Sequence, residues 1–226
     1  INAQSIRWGS KASANRASGD LYSLGWHNDY LYNIEKELEG NMKMGGNIRL
    51  EKLSNDMKLV FSKELKIEKV IGSSSSHYQI VDEKLHVYNL KNFGKNNGGI
   101  QLIQDVFDLN GNYKKKNEIV GLKGIKGLHT TLKYKIANSI DEDRVGLVIC
   151  KKVKKEKKKV EVRLYSFDNN GENLREFTQV FSSDIKVASI KIKKFLIDKN
   201  DNLILYYDIW NDFQNPALGK TISKEK

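Results

Sequence analysis

The sequence predicts an all-β protein built from repeated four-stranded antiparallel sheets. Short runs rich in Val, Ile, Leu, Tyr and Phe are separated by clusters of Asn, Asp, Gly and Lys, a pattern typical of strands joined by hairpin turns. In addition, three sequence markers recur together about every 55 to 60 residues. Helical spacing is not sustained over any segment long enough to form a helical layer.

Two of the markers lie in apolar runs. The first is an aromatic residue followed two positions later by an aliphatic one, and its copies are 56, 56 and 61 residues apart, at Tyr22, Tyr78, Tyr134 and Phe195. The second is the end of a β-rich run, with steps of 56, 62 and 57 between Tyr32, Tyr88, Cys150 and Tyr207. We assign these markers to the first and second strands of each unit.

The third marker is a polar turn that we place between the third and fourth strands. Its three copies are Asn55-Asp56, Asn110-Gly111 and Asn170-Gly171. Asn-Gly between apolar runs indicates a type I′ hairpin, in which both central residues have positive φ. The preceding aspartates, Asp108 and Asp168, are expected to accept hydrogen bonds from backbone amides of the turn.

The markers divide the chain into an N-terminal segment, residues 1–20, and four units. The units span about 21–71, 77–121, 131–182 and 190–226. Predicted strands in the last three units are 78–81, 84–90, 98–108 and 112–120, then 132–137, 144–152, 160–168 and 173–181, then 194–198 and 202–209. Because the last unit contains only about half of the pattern, we expect it to continue beyond residue 226 or to be covered by a partner.

Four antiparallel strands repeating at this spacing are the pattern of a β-propeller blade, so the predicted fold is β-propeller-like with about three and a half blades visible. From Leu21 to Lys226 the chain resembles the divergent propeller-repeat proteins of the bacterial cell envelope, in which FDxNGN turns join the outer two strands. The matching segments are VFDLNGNY and SFDNNGEN. The resemblance implies the fold and carries over no catalytic residue. The WD dipeptide and the shared double glycine of common propeller repeats are missing.

Composition indicates a well-solvated globular chain. Of the 226 residues 39% are hydrophobic, 9% are aromatic and 30% are charged, which is enough apolar material for a core. No apolar run approaches the roughly 18 residues that a membrane-spanning helix needs. The single cysteine, Cys150, lies in the apolar run VGLVIC and is expected to be a small buried residue.

The net charge of +11 is concentrated in one tract. Residues 151–159, KKVKKEKKK, contribute seven lysines and one glutamate, a net +6. Such tracts are usually solvated loops or interaction tails. Only six of the 39 basic residues are Arg, whereas recognition of bases and phosphates favours the forked guanidinium. Nucleic-acid binding through Lys151–Lys159 is therefore a disfavoured alternative.

The first four residues, INAQ, match the end of a secretory signal. Ile1 and Ala3 stand at the positions three and one before the cleavage site, and Gln4 is the first mature residue. Together with the envelope resemblance, this remnant of a signal-peptide cleavage site predicts an exported protein, in the periplasm or at the cell surface of a Gram-negative bacterium.

The polar turns do not have the ligand spacing of a calcium-binding EF-hand loop, which needs oxygen ligands at positions 1, 3, 5 and 12 and Gly at position 6. Counting from Asp198, position 6 is Leu203 and position 12 is Ile209. Counting from Asp108 or Asp168, the glycine falls at position 4. We predict structural turns, and we expect no metal ion and no cofactor.

Five residues are candidates for binding. Phe93, Trp210 and Phe213 lie in the predicted loops between second and third strands, where exposed aromatics could stack on sugars or anchor a partner. The alternative is that they pack between neighbouring blades. His77 and His129 precede innermost strands and could form a pair near one face, although ordinary loop histidines fit this spacing as well. No catalytic serine, cysteine or carboxylate pair can be assembled from the sequence.

The sequence therefore favours a non-catalytic binding or scaffolding module, by analogy of fold. Two further hypotheses stay open: an accessory subunit that docks on an outer-membrane transport or secretion complex, and a carbohydrate-active enzyme with acidic residues at the propeller axis. The expected partner is an envelope or outer-membrane protein, a glycan is the second choice, and no transmembrane segment is expected.

Overall fold

The computed structural model describes residues 20–36, 48–67, 76–92, 100–122, 132–139, 141, 143–153, 156–184, 186–198, 202–210 and 224–225. Every element of regular secondary structure in these residues is a β-strand. Within the same ranges, no helix has the length and apolar character needed to cross a membrane. The described chain is therefore all-β.

The strands follow one another as antiparallel meanders. The first sheet contains β1 (Asp20–His27), β2 (Tyr30–Lys36), β3 (Ile48–Leu53) and β4 (Leu59–Leu65). The second contains β5 (His77–Val81), β6 (Lys84–Asn92), β7 (Ile100–Asp108) and β8 (Tyr113–Leu122). The third contains β9 (Leu132–Asn138), β10 (Arg144–Lys152), β11 (Lys159–Asp168) and β12 (Arg175–Ser182). The fourth contains β13 (Ser189–Ile197), β14 (Leu203–Trp210) and β15 (Lys224–Glu225).

Strands that follow one another in the chain are also neighbours in each sheet. Such four-stranded antiparallel meanders are the unit from which β-propellers are built, and the predicted β-propeller-like fold is confirmed. The first and second sequence markers lie in the first and second strands of the four sheets, as predicted. One strand is longer than predicted: β13 begins at Ser189 because the chain from Ser189 to Ile192 pairs with Tyr207–Trp210, before a bulge at Lys193.

Type I′ turns join the first and second strands of the first two sheets. Asn28 and Asp29 have φ angles of 49° and 64°, and Asp82 and Glu83 have φ angles of 48° and 58°. Positive φ at both central residues lets a two-residue turn follow the twist of its strands. Neither turn contains glycine, so the sequence signal that we used for this turn type did not identify them.

The Asn-Gly turns between third and fourth strands are not of type I′, and this part of the prediction was wrong. Within the three loop residues only the glycine has positive φ, 70° at Gly111 and 81° at Gly171, and Asn173, two residues after the second loop, has a φ of 51°. The amide of Gly111 donates to the carbonyl of Asp108, and the amide of Asp108 donates to the carbonyl of Asn112, both at 2.9 Å. This is a three-residue loop with glycine in the left-handed position.

The aspartates that precede these loops stabilise them as predicted. Oδ1 of Asp108 accepts hydrogen bonds from the amides of Asn110 and Asn112, at 3.0 and 2.8 Å. Asp168 makes the equivalent pair of contacts at the same two distances, 3.0 and 2.8 Å. The carboxylate satisfies amides that would otherwise point into solvent, so a loop with a single positive-φ residue is stable here.

The contacts of the chain divide it into two compact units. The first combines the first sheet with residues 78–86 and 105–115, and the second contains residues 72–77, 87–104 and 116–226. In the first unit Ile34 and Leu50 are fully buried, and the rings of Tyr22 and Tyr78 pack with their centroids 5.6 Å apart.

Two apolar clusters hold the sheets of the second unit together. The first cluster joins the second sheet to the third. Its members in the second sheet are Tyr88, Leu90, Ile100 and Leu102, and those in the third are Ile136, Val145, Leu147, Ile149, Tyr165 and Phe167. In the other, the alternate side chains of the third sheet pack on the fourth sheet; its members include Val148, Cys150, Val160, Val162, Ile190, Phe195 and Ile197. Cys150 is fully buried as predicted, and burial raises the pKa of its thiol to about 12.

Candidate functional site

An apolar groove lies between the outer strands of the third sheet and the second strand of the fourth. Its volume is about 530 Å³. One wall is formed by β11 and β12, through Val162, Leu164, Phe177, Gln179 and Phe181, and the other by β14, through Leu203, Leu205, Tyr207 and Ile209. A groove of this size and apolar character is suited to binding an apolar group or an extended chain.

The strand register explains why these side chains share one face. Val162 lies opposite Gln179, and Leu164 lies opposite Phe177, and residues opposite one another in an antiparallel pair point to the same side of the sheet. Phe177 keeps 50% of its surface exposed. All eight residues of β12 are exposed, so apolar side chains of this strand face solvent on the groove side.

The groove wall made by β14 belongs to a paired strand. On one side β14 pairs with β13 over its whole length. On the other side β15 pairs with Asp208 and Ile209.

The end of the groove nearest Tyr207 lies beside the lysine tract. Ser182, Ser183 and Asp184 line this end, and the amide of Ser183 donates to the carbonyl of Lys158 at 2.7 Å. Lys157 and Lys158 are exposed. The positive charge of Lys157 and Lys158 therefore lies beside one end of the groove. The sequence alone did not predict this position.

Tyr207 contributes a neutral hydroxyl to the groove wall. Burial raises the pKa of Tyr207, and the neighbouring Cys150 adds to the effect. The rings of Phe181 and Tyr207 approach each other across the groove with a centroid distance of 6.5 Å. The two walls of the groove are therefore in aromatic contact at this point.

His77, one of the predicted binding residues, makes contacts within the second unit that account for its position. Its Nε2 lies 2.6 Å from Oδ1 of Asn138, and its ring centroid lies 6.1 Å from that of Tyr88. Burial lowers the pKa of His77, and the hydrogen bond to Asn138 opposes this effect. The contact with Asn138 ties β5 to β9, and His77 does not line the groove.

The other predicted binding residues are only partly covered by the structure. Trp210 ends β14 in a half-buried position, and its carbonyl accepts a hydrogen bond from the amide of Ala188 at 2.7 Å. Phe93, His129 and Phe213 lie outside the described residues. The groove residues Phe177 and Phe181 were not among the predictions. Their signal was present in the sequence, since an outer strand reading REFTQVFS carries apolar residues on both faces.

A buried glutamine joins the second sheet to the turn of the third. Nε2 of Gln104 donates to the hydroxyl of Tyr88 at 2.9 Å and to the carbonyl of Asn169 at 2.6 Å. Oε1 of Gln104 accepts from Nδ2 of Asn117 at 2.5 Å, and the same amide group lies 3.2 Å from the carbonyl of Asn170. The SFDNNGEN turn is therefore anchored to the second sheet by hydrogen bonds and has a structural role.

Carboxylates that influence each other are found in the first sheet. Burial raises the pKa of Glu51, Glu35 adds to the effect, and Arg49 opposes it. Arg49 lies opposite Glu35 in the β2–β3 register, an arrangement typical of a charged sheet face. In the described ranges, no three His, Cys, Asp or Glu side chains are grouped so that they could hold a metal ion.

The chain was compared with known proteins. No protein-family model matches it, and no curated protein matches it. Similar solved structures include a mutant puromycin hydrolase complexed with PGG (9% identity, 84% of this chain, 28% of that chain, TM-score 0.45). A second is a Bombyx mori GH32 β-fructofuranosidase mutant in complex with sucrose (11% identity, 88% of this chain, 44% of that chain, TM-score 0.43). A third is a Phanerochaete chrysosporium exo-β-1,3-galactanase mutant with β-1,3-galactotriose (10% identity, 92% of this chain, 50% of that chain, TM-score 0.43).

These three proteins contain propeller-type folds. The chain spans between 28% and 50% of their lengths.

Proposed function

We propose that this chain is a non-catalytic binding or scaffolding module of an exported protein in the Gram-negative cell envelope, and that the apolar groove is its binding surface for another protein. The observation that carries the proposal is the groove itself: two phenylalanines and a row of aliphatic residues line a volume of about 530 Å³. Buried aromatic and aliphatic anchors supply most of the free energy at protein interfaces.

The half-exposed aromatics support this role. Phe177 and Phe181 are 50% and 36% exposed. Fully burying an exposed phenylalanine side chain contributes about 1.5–3 kcal/mol, so covering the part of each ring that is still exposed contributes roughly half of this or less. A partner that fills the groove would therefore gain several such contributions from one strand. The envelope location is supported by the resemblance of the repeat turns and by the match of Ile1 and Ala3 to a signal cleavage site.

Site-specific photocrosslinking tests the proposal. Phe177 is replaced by p-benzoylphenylalanine in the native gene, cells are irradiated, and the adduct is identified by mass spectrometry after fractionation of periplasm and outer membrane. We expect one dominant envelope protein to be attached at position 177, because the ring at this position faces the groove.

Val180 is the matched control, since it lies on the same strand with 48% exposure but on the opposite face. The same probe at position 180 should give little or no adduct. Equal crosslinking at both positions, no protein adduct at position 177, or a cytoplasmic location of the chain would contradict the proposal. Attachment of a glycan instead of a protein would favour the carbohydrate hypothesis.

A further inference from the structure

We propose that Asn110 is a site of spontaneous covalent modification, in which its side-chain amide becomes a carboxylate, and that Asn117 protects the equivalent residue Asn170 from the same reaction. Both asparagines precede the glycine of a three-residue loop between third and fourth strands. A further Asn-Gly pair, Asn97-Gly98, lies outside the described residues. The inference goes beyond the proposed function and does not involve the groove.

The reaction needs only water and hydroxide. The backbone nitrogen of the glycine gives its proton to hydroxide and forms a bond to Cγ of the preceding asparagine. The bond from Cγ to Nδ2 then breaks, and the side-chain nitrogen takes up a proton and leaves as ammonia. Water opens the resulting cyclic imide at either carbonyl, which gives aspartate or isoaspartate. Glycine favours the attack because it has no Cβ beside the nitrogen and leaves the backbone free to rotate.

Exposure and the contacts within each loop do not distinguish the two sites. The side chains of Asn110 and Asn170 are both exposed. The amide of Gly111 donates to the carbonyl of Asp108, and the amide of Gly171 donates to the carbonyl of Asp168, both at 2.9 Å. The attacking nitrogen must leave the same hydrogen bond at either site, so these contacts alone would give similar rates.

The two loops differ at the carbonyl of the asparagine. The attack requires rotation about the Cα–C bond of this residue, which turns the whole Asn–Gly peptide group. At Asn170 the peptide group is held at both ends, since its carbonyl accepts a hydrogen bond from Nδ2 of Asn117 at 3.2 Å. At Asn110 only the amide end is held, because no group in the described part of the chain donates to the carbonyl of Asn110.

The side chain of Asn117 is itself fixed by a buried neighbour. Its Nδ2 lies 2.5 Å from Oε1 of Gln104, and Nε2 of Gln104 donates to the carbonyl of Asn169 at 2.6 Å. Gln104 is fully buried, so breaking these bonds exposes polar groups to an apolar interior. The peptide group of Asn170 therefore turns only when several hydrogen bonds break together.

Packing against the two glycines acts in the same direction. A Cβ atom on Gly171 would lie 3.0 Å from Cγ1 of Ile119, which packs on the apolar cluster between the second and third sheets. The equivalent atom on Gly111 would lie 3.1 Å from Cδ of Lys63, whose side chain is exposed. A long exposed lysine moves aside more readily than an isoleucine on a packed core, so the loop of Asn110 rearranges more easily.

Conversion of Asn110 weakens the turn in which it lies. The new carboxylate carries a negative charge two residues from Asp108, whose Oδ1 accepts a hydrogen bond from the amide of Asn110 at 3.0 Å. Like charges at this separation repel each other. Isoaspartate also lengthens the backbone of the loop by a methylene group, which shifts this amide away from its acceptor. The stability of the chain should therefore fall as the modified fraction grows.

Peptide mapping by mass spectrometry tests the proposal in the 226-residue chain. The folded chain is incubated at mildly alkaline pH, and conversion of Asn110 and Asn170 is followed over time. The same rates in the urea-unfolded chain correct for local sequence. We expect folding to slow conversion of Asn170 roughly threefold to tenfold more than that of Asn110, the effect of a single hydrogen bond on a rate.

Two results in the unmodified chain would overturn the proposal. One is equal slowing of both sites by folding, or greater slowing at Asn110. The other is a folded chain in which Asn110 stays intact over the time that converts it fully in the unfolded chain. Neither comparison requires a variant.

Asn117→Ala tests the protecting contact itself. It should raise the rate at Asn170 to about that at Asn110, a change of roughly threefold to tenfold, and leave Asn110 unaffected. Glu118→Ala is the control, since Glu118 is the exposed neighbour on β8 and bonds Gln101, and it should change neither rate. Circular dichroism verifies that both variants are folded. If Asn170 stays slow in folded Asn117→Ala, the assignment of Asn117 as the protecting residue is overturned.

Discussion

Gly146 illustrates how one residue fixes the distance between two sheets. A Cβ atom at this position would lie 2.6 Å from Cδ1 of Ile197 and 2.8 Å from Cζ of Phe195. Both neighbours are buried in the cluster between the third and fourth sheets, so they have little room to move. Glycine in the interior of β10 is therefore required by close packing and not by backbone conformation.

We expect Gly146→Ala to destabilise the chain by about 1–3 kcal/mol, because the added methyl group overpacks a filled core. Chemical denaturation measures the change in the free energy of unfolding. Gly121→Ala is the control: no atom lies within 4 Å of the added Cβ, so its effect should be neutral or slightly stabilising. Similar losses in both variants would show that the close approach of Ile197 and Phe195 does not decide the result.

The ionisation of Asp108 makes the stability of the fold depend on pH. Burial alone would raise its pKa, but hydrogen bonds from Asn112 and Asn110 and the contact with Lys114 outweigh burial and hold the pKa of Asp108 at about 2, below the ordinary 3.8. A depressed folded-state pKa means that the carboxylate stabilises the fold above pH 3.8 and that this contribution is lost as the pH falls towards 2.

Asp108→Asn should therefore reduce the loss of stability between pH 4 and pH 2 that the unmodified chain shows. The expected difference is about 1 kcal/mol, since solvent screening lowers the contribution of a carboxylate near the surface. Urea unfolding at several pH values measures it. Asp29→Asn, in the exposed β1–β2 turn, serves as the control, and an unchanged pH profile in Asp108→Asn would contradict this account.

At the scale of the element, the SFDNNGEN turn depends on a strand of another sheet. Gln104 of β7 is fully buried and bonds the carbonyl of Asn169, while Asn117 of β8 bonds both Gln104 and the carbonyl of Asn170. Hydrogen bonds of this kind contribute most when their loss leaves buried polar groups without partners. The turn is thus ordered by the second sheet as well as by its own Asp168.

Gln104→Leu should cost about 2–4 kcal/mol of unfolding free energy, because it removes the hydrogen bonds that buried Gln104 makes to the carbonyl of Asn169 and to the amide of Asn117. Thermal unfolding measures the loss, and amide exchange should increase in the turn. The control is Gln101→Leu on the same strand, whose side chain bonds only exposed Glu118 in the described structure. A turn that stays protected in Gln104→Leu would show that Asp168 alone orders it.

The sequence predicted the elements well where a local signal was present. Strand positions follow from the alternation of apolar residues, and the bonding of Asp108 and Asp168 follows from the short reach of an aspartate side chain to its own turn. The turn type was wrong because Asn110 keeps negative φ when the carboxylate satisfies the amides. The type I′ turn at Asp82 and Glu83 was missed because neither residue is a usual choice there.

At the scale of the molecule, the repeat predicted the fold but not the groove. Which side chains share a groove depends on how β12 faces β14, and residues such as Phe177 and Leu205 are far apart in the sequence. Exposed aromatics were instead predicted in loops, at Phe93, Trp210 and Phe213. The apolar character of β12 was a usable signal, because a strand with one face in water carries polar residues on that face.

The central claim is that the apolar groove lined by β11, β12 and β14 is a binding surface for another protein. Crosslinking in cells from p-benzoylphenylalanine at position 177 tests it most directly, because the side chain at this position lines the groove. We predict one dominant protein adduct at position 177 and little or none at position 180, on the opposite face of β12. Equal crosslinking at both positions, or no protein adduct at position 177, would contradict the claim.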